Sequence, residues 1–305
     1  MSVRSVAIML HPRQRHAPSA NYRIWALAEN WKRQGIRVDL IWGPATQIDA
    51  DVLIPHIDVS YLPDRFWRAI QQHPNVVNRH VRDIRKTAYS RNIITRDSDW
   101  PGPVIVKTVN NCGGGWDEAL GRAPRRQTRF TRWKRRIRES PLIERYRLGS
   151  AASLRRYYIF DALSRVPRRV FANPNLIVER FLPERHGSDY AMRMLIVFGD
   201  RWIGRMLIAP DPFVKSRNSR LIEEAAPPAE IVARRAELGI DYGKIDYVIN
   251  NGEPVLLDIN VTPTVSGPVT EDKIVKSADL ALGIAAFAQR QRPASPHPAR
   301  LSADS

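Results

Sequence analysis

Two short apolar runs near the C-terminal end carry acids at a spacing that can do metal chemistry: Lys244-Ile245-Asp246-Tyr247-Val248-Ile249 and Val255-Leu256-Leu257-Asp258-Ile259-Asn260. Side chains alternate at period two along a strand, so Asp258 and Asn260 share a face. A turn at Asn250-Asn251-Gly252 brings Asp246 alongside them. Three oxygen ligands on one hairpin suit a hard cation. Mg²⁺ fits best, because it keeps waters and takes a few carboxylates together with substrate phosphates. Acids at strand ends also serve as plain turn residues, and the pair by itself leaves both readings open.

Lys107 lies inside the apolar strand Val104-Ile105-Val106-Lys107-Thr108, ahead of Asn110-Asn111-Cys112-Gly113-Gly114-Gly115. A buried ammonium needs a counter-charge. Glycine-rich backbone offers free N–H groups that can close over phosphates. The plainer alternative is an edge-strand lysine beside a turn. In Ile177-Val178-Glu179-Arg180-Phe181-Leu182-Pro183-Glu184, backbone groups of a hinge can read a purine edge while a carboxylate such as Glu184 takes ribose hydroxyls. A strand ending in a Pro turn is its plain reading. Cys112 has no histidine placed beside it and reads as a small loop residue. His11 and His16 follow the first strand, where α/β lobes place ligand contacts, but they read more simply as surface histidines.

The elements that must position these residues are legible from periodicity. Val3–Leu10, Arg37–Trp42, Asp51–Pro55 and Asn75–Asn78 read as strands, with helices at Asn21–Gln34 and Arg65–Gln72 between them. That alternation predicts a parallel α/β lobe over residues 1–78. It carries no Gly-x-Gly-x-x-Gly, so a dinucleotide site there is unsupported. Further on, strands are expected at Val104–Thr108 and Leu176–Phe181, with hairpins at Met192–Ile208 and Lys244–Ile259. Helices are expected at Ala151–Leu163, Ile231–Leu238 and Asp272–Gln289. The tail from Arg292, rich in proline and small polar residues, reads as disordered.

The chain has 305 residues, enough for two lobes, and 43% hydrophobic residues to build their cores. No apolar run approaches the ~20 residues of a spanning helix. One cysteine fits a reducing cytoplasm. The net charge of +17 is concentrated. Residues 122–147 hold 11 Lys/Arg against Glu139 and Glu144, a net of +9. Phe130, Trp133 and Ile137 recur there at near-helical spacing, so the segment can be a solvated lid, lie on an anionic membrane surface or acidic substrate, or bind nucleic acid.

Taken in order, Lys86, Lys107 with its glycine loop, Val178-Glu179-Arg180-Phe181-Leu182-Pro183-Glu184, Arg193, Asp246 and Asp258-Ile259-Asn260-Val261-Thr262-Pro263 resemble the ATP-grasp superfamily over roughly residues 75–280. The branch that includes the ribosomal-protein glutamate ligase is the nearest likeness. The resemblance implies an α/β fold, α+β in its C-terminal part: a pre-ATP-grasp lobe (1–78), then an ATP-grasp module of two sub-lobes (79–290) with a basic insertion at about 117–150. It implies a cytoplasmic ligase that joins a carboxylate on a small molecule or peptide to an amine through an acyl-phosphate. ATP and two Mg²⁺ ions would be required. By the same carry-over, Lys86 and Lys107 contact the phosphates under a lid of Gly113, Gly114 and Gly115. Glu179, Arg180, Phe181 and Leu182 line the adenine pocket, and Glu184 holds the ribose. Asp246, Asp258 and Asn260 bind the metals, and Arg193 stabilises the transferred phosphate. Three departures stand out: Asp258 where the superfamily more often has Glu, Arg193 one residue early relative to Gly199, and no arginine late in the hairpin. Arg205, Lys215 and Arg217 are the substitutes at hand. A non-catalytic nucleotide-binding module, with the basic segment gripping nucleic acid or membrane, is the alternative.

Overall fold

The computed structural model describes residues 2–16, 21–111, 148–154 and 156–291. The glycine loop Gly113–Gly115, Cys112, nearly all of the basic insertion and the proline-rich tail lie outside these residues.

The first lobe is a parallel sheet in the order β2-β1-β3, formed by Ser5–Leu10 (β1), Arg37–Trp42 (β2) and Val52–His56 (β3). Helix α1 (Arg23–Arg33) crosses from β1 to β2, and α2 (Asp64–Gln71) follows β3. Ile24, Leu27 and Trp31 fall on one stripe of α1 and are fully buried, as the periodicity requires. The expected strand Asn75–Asn78 is reduced to a single bridge between Leu53 and Val76. His73 draws the chain out of strand geometry by bonding Asn75, and Asn78 is left-handed at φ 57°.

The second sheet is antiparallel, order β5-β4-β6, from Val104–Thr108 (β4), Tyr158–Phe160 (β5) and Leu176–Arg180 (β6). The helix expected over Ala151–Leu163 does not form. Tyr158 and Phe160 instead pair with Val106 and Val104 and enter the core under that sheet, so packing overrides the local pattern. The third sheet has six strands: Glu184–His186 (β7), Asp189–Phe198 (β8), Arg201–Ala209 (β9), Leu221–Glu224 (β10), Tyr242–Asn250 (β11) and Glu253–Asn260 (β12). Its main path runs β10-β9-β8-β11-β12, with β7 paired to β8. Short helix α3 (Lys86–Tyr89) precedes the second sheet in sequence, α4 (Arg168–Phe171) lies between β5 and β6, and α5 (Ala229–Glu237) precedes β11.

The continuous helix expected over Asp272–Gln289 breaks into α6 (Glu271–Val275), α7 (Ala278–Leu282) and a 3-10 helix, Gly283–Gln291. Side chains of α1 take the carbonyls a continuous helix would use: Asn30 donates to Ile274 O at 2.7 Å and Trp31 Nε1 to Ala281 O at 2.9 Å. This segment straps the first lobe to the six-stranded sheet. Val6, Ile8, Ile24 and Trp31 share one core with Ile196, Phe198, Tyr242, Leu280 and Phe287. We propose the division near residue 78 as a change of sheet inside shared packing: Asn78 Oδ1 accepts the N–H groups of Asp241 and Tyr242 where β11 begins.

Candidate active site

Strand β4 is buried throughout, yet its faces differ. Val104 and Val106 enter the core, while Ile105 and Lys107 face a cavity of about 500 Å³ between the second and third sheets. That is the size of a small-molecule site. Its cationic lining is Lys86, Lys107, Arg156, Arg180, Lys215 and Lys244, against the carboxylates Asp246 and Asp258. Ile105, Leu154, Met192, Met194, Val248 and Leu257 give it apolar walls.

Lys107 does not stand alone. Its Nζ lies 2.7 Å from Glu179 Oε2 on the neighbouring strand, with both groups buried. Ser90 Oγ donates to the other carboxylate oxygen at 2.6 Å. Lys86, on the one-turn helix α3, is 1% exposed and reaches Asn111 Oδ1 at 3.1 Å, Asn110 O at 3.3 Å and Asp258 Oδ1 at 3.4 Å. The Tyr157 ring lies about equally far from both ammoniums, 6.0 Å from Lys86 and 5.8 Å from Lys107. The two lysines expected at the phosphates thus converge, and Asn111 links Lys86 to β12: its Oδ1 accepts from Lys86 and its Nδ2 donates to Ile259 O at 2.5 Å.

Across the cavity the hairpin pairs Asp246 with Asp258 and Lys244 with Asn260, so all four side chains share one face. Register slips between Asp246 and Tyr247, where the bulge lets both Leu257 and Asp258 line the cavity. Asp246 Oδ2 accepts from Lys244 Nζ at 2.7 Å, while its Oδ1 is buried with no partner. Burial pushes the Asp246 carboxyl above the ordinary carboxylate range, partly offset by Lys244. Asp258 Oδ1 accepts from Tyr89 at 3.1 Å, and burial first and Asp258 second hold that phenol well above its ordinary pKa. Asn260 Oδ1 accepts Thr262 N at 2.8 Å and lies 3.0 Å from Thr262 Oγ1, which is also 2.8 Å from Asp58 Oδ1. A hydroxyl has one proton. Donated to Asp58, it leaves Asn260 a lone pair for a cation.

Among the described residues no cluster of three or more His, Cys, Asp and Glu side chains forms a self-sufficient metal site. Two carboxylates plus one amide oxygen, one buried oxygen being orphaned, is the donor set of an ion that completes its shell with phosphates and water. The residues present therefore fit Mg²⁺ in company with a polyphosphate.

Phe181, Leu182 and Arg180 line the cavity, whereas Glu179, Glu184, Arg193 and Asn260 are not among its lining residues. Glu184 and Arg193 are occupied with each other: Arg193 Nε and Nη2 donate to Glu184 Oε1 at 2.9 and 2.7 Å. Ile249 N adds a bond to Oε2 at 2.7 Å. The hydrogen bonds to Glu184 raise the Arg193 pKa further. His11, expected at the surface, is 5% exposed and packs against Phe66; burial and then Arg65 lower its pKa. Sequence reading missed Arg156, Tyr157 and Lys244. Lys244 was within reach, because it lies two residues from Asp246 on the same strand face. Arg156 and Tyr157 were hidden by the helix expected there.

No family model and no curated protein matches the sequence. Solved structures do match. The ATP-grasp ligase PsnB, in complex with minimal precursor, Mg and ADP, is 12% identical over 92% of this chain and 97% of its own, at a TM-score of 0.51. A RimK-domain ATP-grasp protein from Sphaerobacter thermophilus is 14% identical over 93% of this chain and 99% of its own, at 0.49. The macrocyclase MdnB from Microcystis aeruginosa is 10% identical over 94% and 99%, at 0.45. The chain has the ATP-grasp fold. No helix among the described residues is long and apolar enough to cross a membrane.

Proposed function

We propose that the protein is an ATP- and Mg²⁺-dependent ligase that joins a carboxylate to an amine. The observation that carries this reading is the gathering of lysines and carboxylates on the wall of one cavity, with Lys244 2.7 Å from Asp246 and Lys86 3.4 Å from Asp258. Lys86 and Lys107 stand on the side of the second sheet, and Asp246 and Asp258 face them from the β11–β12 hairpin. That is the layout a metal-bound polyphosphate requires. In the proposed reaction a substrate carboxylate oxygen attacks the γ-phosphorus, and the bond to the β-phosphate oxygen breaks to release ADP. An amine then attacks the acyl carbon, losing a proton as phosphate leaves. No residue here need act as a nucleophile; positioning and charge neutralisation suffice.

In this proposal Lys86, Lys107 and the loop Gly113–Gly115 hold phosphates. Glu179 sets Lys107, and Arg180, Phe181 and Leu182 border the base. Asp246, Asp258 and Asn260 hold the metal, two ions in the full complement. Glu184 brackets the ribose, and Arg193, held beside the hinge by Glu184, faces the transferred phosphate once that pair opens to the ligand. A cytoplasmic site of action completes the proposal. Calorimetry with Mg-ADP and Mg-ATP tests it: folded protein that binds neither refutes the reading. ADP release with a competent carboxylate and amine should disappear in Asp258→Ala.

A further inference from the structure

Strand register places Arg205 in the same row as the metal carboxylates. Arg205 on β9 opposes Met194 on β8, Met194 opposes Asp246 on β11, and Asp246 opposes Asp258 on β12. Opposed residues share a face, so Arg205 stands two strands from Asp246, about 10 Å away at ~4.8 Å per strand. Helix α1 packs on that face through Ile24, Leu27 and Trp31 against Ile196, Phe198 and Tyr242, with Met194 and Ile203 at the margin of the same core. Its first residue, Arg23, lies at the sheet end of this packing, near enough to Arg205 for the two charges to interact.

Neither arginine is neutralised. Among the described residues neither forms an ion pair, and Arg205 makes no side-chain hydrogen bond. The polar contact of the Arg23 side chain is a long one, Nη1 to Ser277 Oγ at 3.3 Å, and its Nε is buried with no partner. The fully buried Tyr242 hydroxyl, near enough to couple with Arg23, is unpartnered as well. Burial first, and the charge of Arg205 after it, pull the Arg23 pKa down. Arg193 holds Glu184 and Arg85 holds Asp83, while Arg156 and Arg180 in the cavity wall bond neutral oxygens, those of Tyr158, Arg91 and Asn92. Two partly buried guanidiniums with no counter-charge, at the edge of a proposed reaction centre, call for an anion that arrives with a ligand.

We propose that Arg23 and Arg205 form a second anion subsite, which grips an oxyanion of the substrate other than the carboxylate to be activated. This rests on the ligase reading above and deepens it. The substrate is then a compound with two anionic groups within the span of one small molecule or peptide end, a dicarboxylate or a phosphorylated acid. The subsite joins the first lobe to the six-stranded sheet, so the ligand completes charge balance across their junction.

Calorimetry on the full chain saturated with Mg-ADP, titrated separately with glutarate, inorganic phosphate and acetate, tests the proposal. Glutarate or phosphate should bind the wild type, and acetate far more weakly. Arg23→Met and Arg205→Met should each weaken that binding at least tenfold and leave Mg-ADP affinity within twofold. Tighter glutarate marks a dicarboxylate substrate; tighter phosphate marks a phosphorylated one. Without anion, Arg205→Met should match or exceed the wild-type Tm, because it relieves repulsion; a structural arginine would lower it. Arg23→Lys keeps the charge without the fork and serves if Arg23→Met does not fold; it too should weaken binding. No binding of any probe to the wild type overturns the subsite, and so do variants that bind as the wild type does. Mg-ADP binding in the same samples separates these results from failure of the ligase reading.

Discussion

Replacing Lys107 by Met removes the ammonium and leaves Glu179 buried with Ser90 as its hydrogen-bond donor. Breaking a buried pair from one side costs about 3–5 kcal/mol of stability, because the surviving charge has lost its compensation. If Lys107 also contacts phosphate, the variant gives up a charge-assisted hydrogen bond, roughly 1.5–3 kcal/mol. That corresponds to about 10- to 150-fold weaker Mg-ADP binding. Glu179→Gln separates the two roles. It keeps an acceptor beside Lys107 but removes the competing negative charge, so stability falls while nucleotide affinity holds or tightens. Urea denaturation gives the first quantity and calorimetry with Mg-ADP the second. The reasoning is refuted if Lys107→Met binds Mg-ADP within twofold of the wild type. It is equally refuted if Glu179→Gln loses as much affinity as Lys107→Met, which would make the pair a purely structural unit.

His56 at the end of β3 is fully buried among Tyr22, Trp25 and Tyr242, with both ring nitrogens unpartnered, and burial lowers its pKa to about 3. The unfolded chain binds this proton first as pH falls below 6.5, so the folded state loses about 1.4 kcal/mol per pH unit from there down to the folded pKa. His56→Phe should flatten the stability profile over that window, read by urea denaturation between pH 7 and pH 4.5; an unchanged slope contradicts the assignment. Thr262→Val removes the hydroxyl that donates to Asp58 and stands 3.0 Å from Asn260 Oδ1, and Mg²⁺ dependence of ADP binding should weaken by about fivefold, on the order of 1 kcal/mol, with ADP binding in EDTA unaffected. Gly199 turns the β8–β9 hairpin at φ 60°, and a Cβ there would run into Gly283 O. Gly199→Ala should lower stability by about 2–6 kcal/mol, backbone strain and overpacking each contributing about 1–3; an unshifted Tm would refute the contact.

Much of this fold was legible because periodicity reports burial directly. The strands Arg37–Trp42 and Val104–Thr108 emerge with the bounds expected of them, and both hairpins form around their glycine-containing turns. The two helix failures share one cause. Residues 151–163 and 272–289 look helical locally, but the structure spends their backbone groups on distant partners: β4 for Tyr158, and Asn30 and Trp31 of α1 for the C-terminal strap. Such competition cannot be read from either segment alone. In the site, spacing gave the residues of β11 and β12 on one face, yet said nothing of pairing. That Glu184 meets Arg193, Lys107 meets Glu179 and Lys86 approaches Asp258 depends on strand order and sheet contact, which a single chain of letters does not display.

That pairing has a consequence for what the site can hold. The carboxylates proposed as metal ligands both face lysines: Lys244 stands 2.7 Å from Asp246, and Lys86 is 3.4 Å from Asp258. Across the cavity, Lys107 stands against Glu179. A ligand of one sign would have to break such pairs and leave the other half buried without compensation, at several kcal/mol for each charge. Mg-ATP brings both signs together. The cation replaces lysine at the carboxylates, the phosphates replace carboxylate at the lysines, and no buried charge is stranded. Binding of metal and nucleotide should therefore be strongly cooperative: ATP in EDTA and Mg²⁺ alone should each bind at least a hundredfold more weakly than in the other's presence, about 2.7 kcal/mol of coupling. Lys244→Met releases one of these restraints and should strengthen Mg²⁺ binding in the absence of nucleotide. Calorimetric titrations of each component, alone and with the other saturating, measure the coupling directly, and equal affinities in the two conditions would refute the exchange of partners.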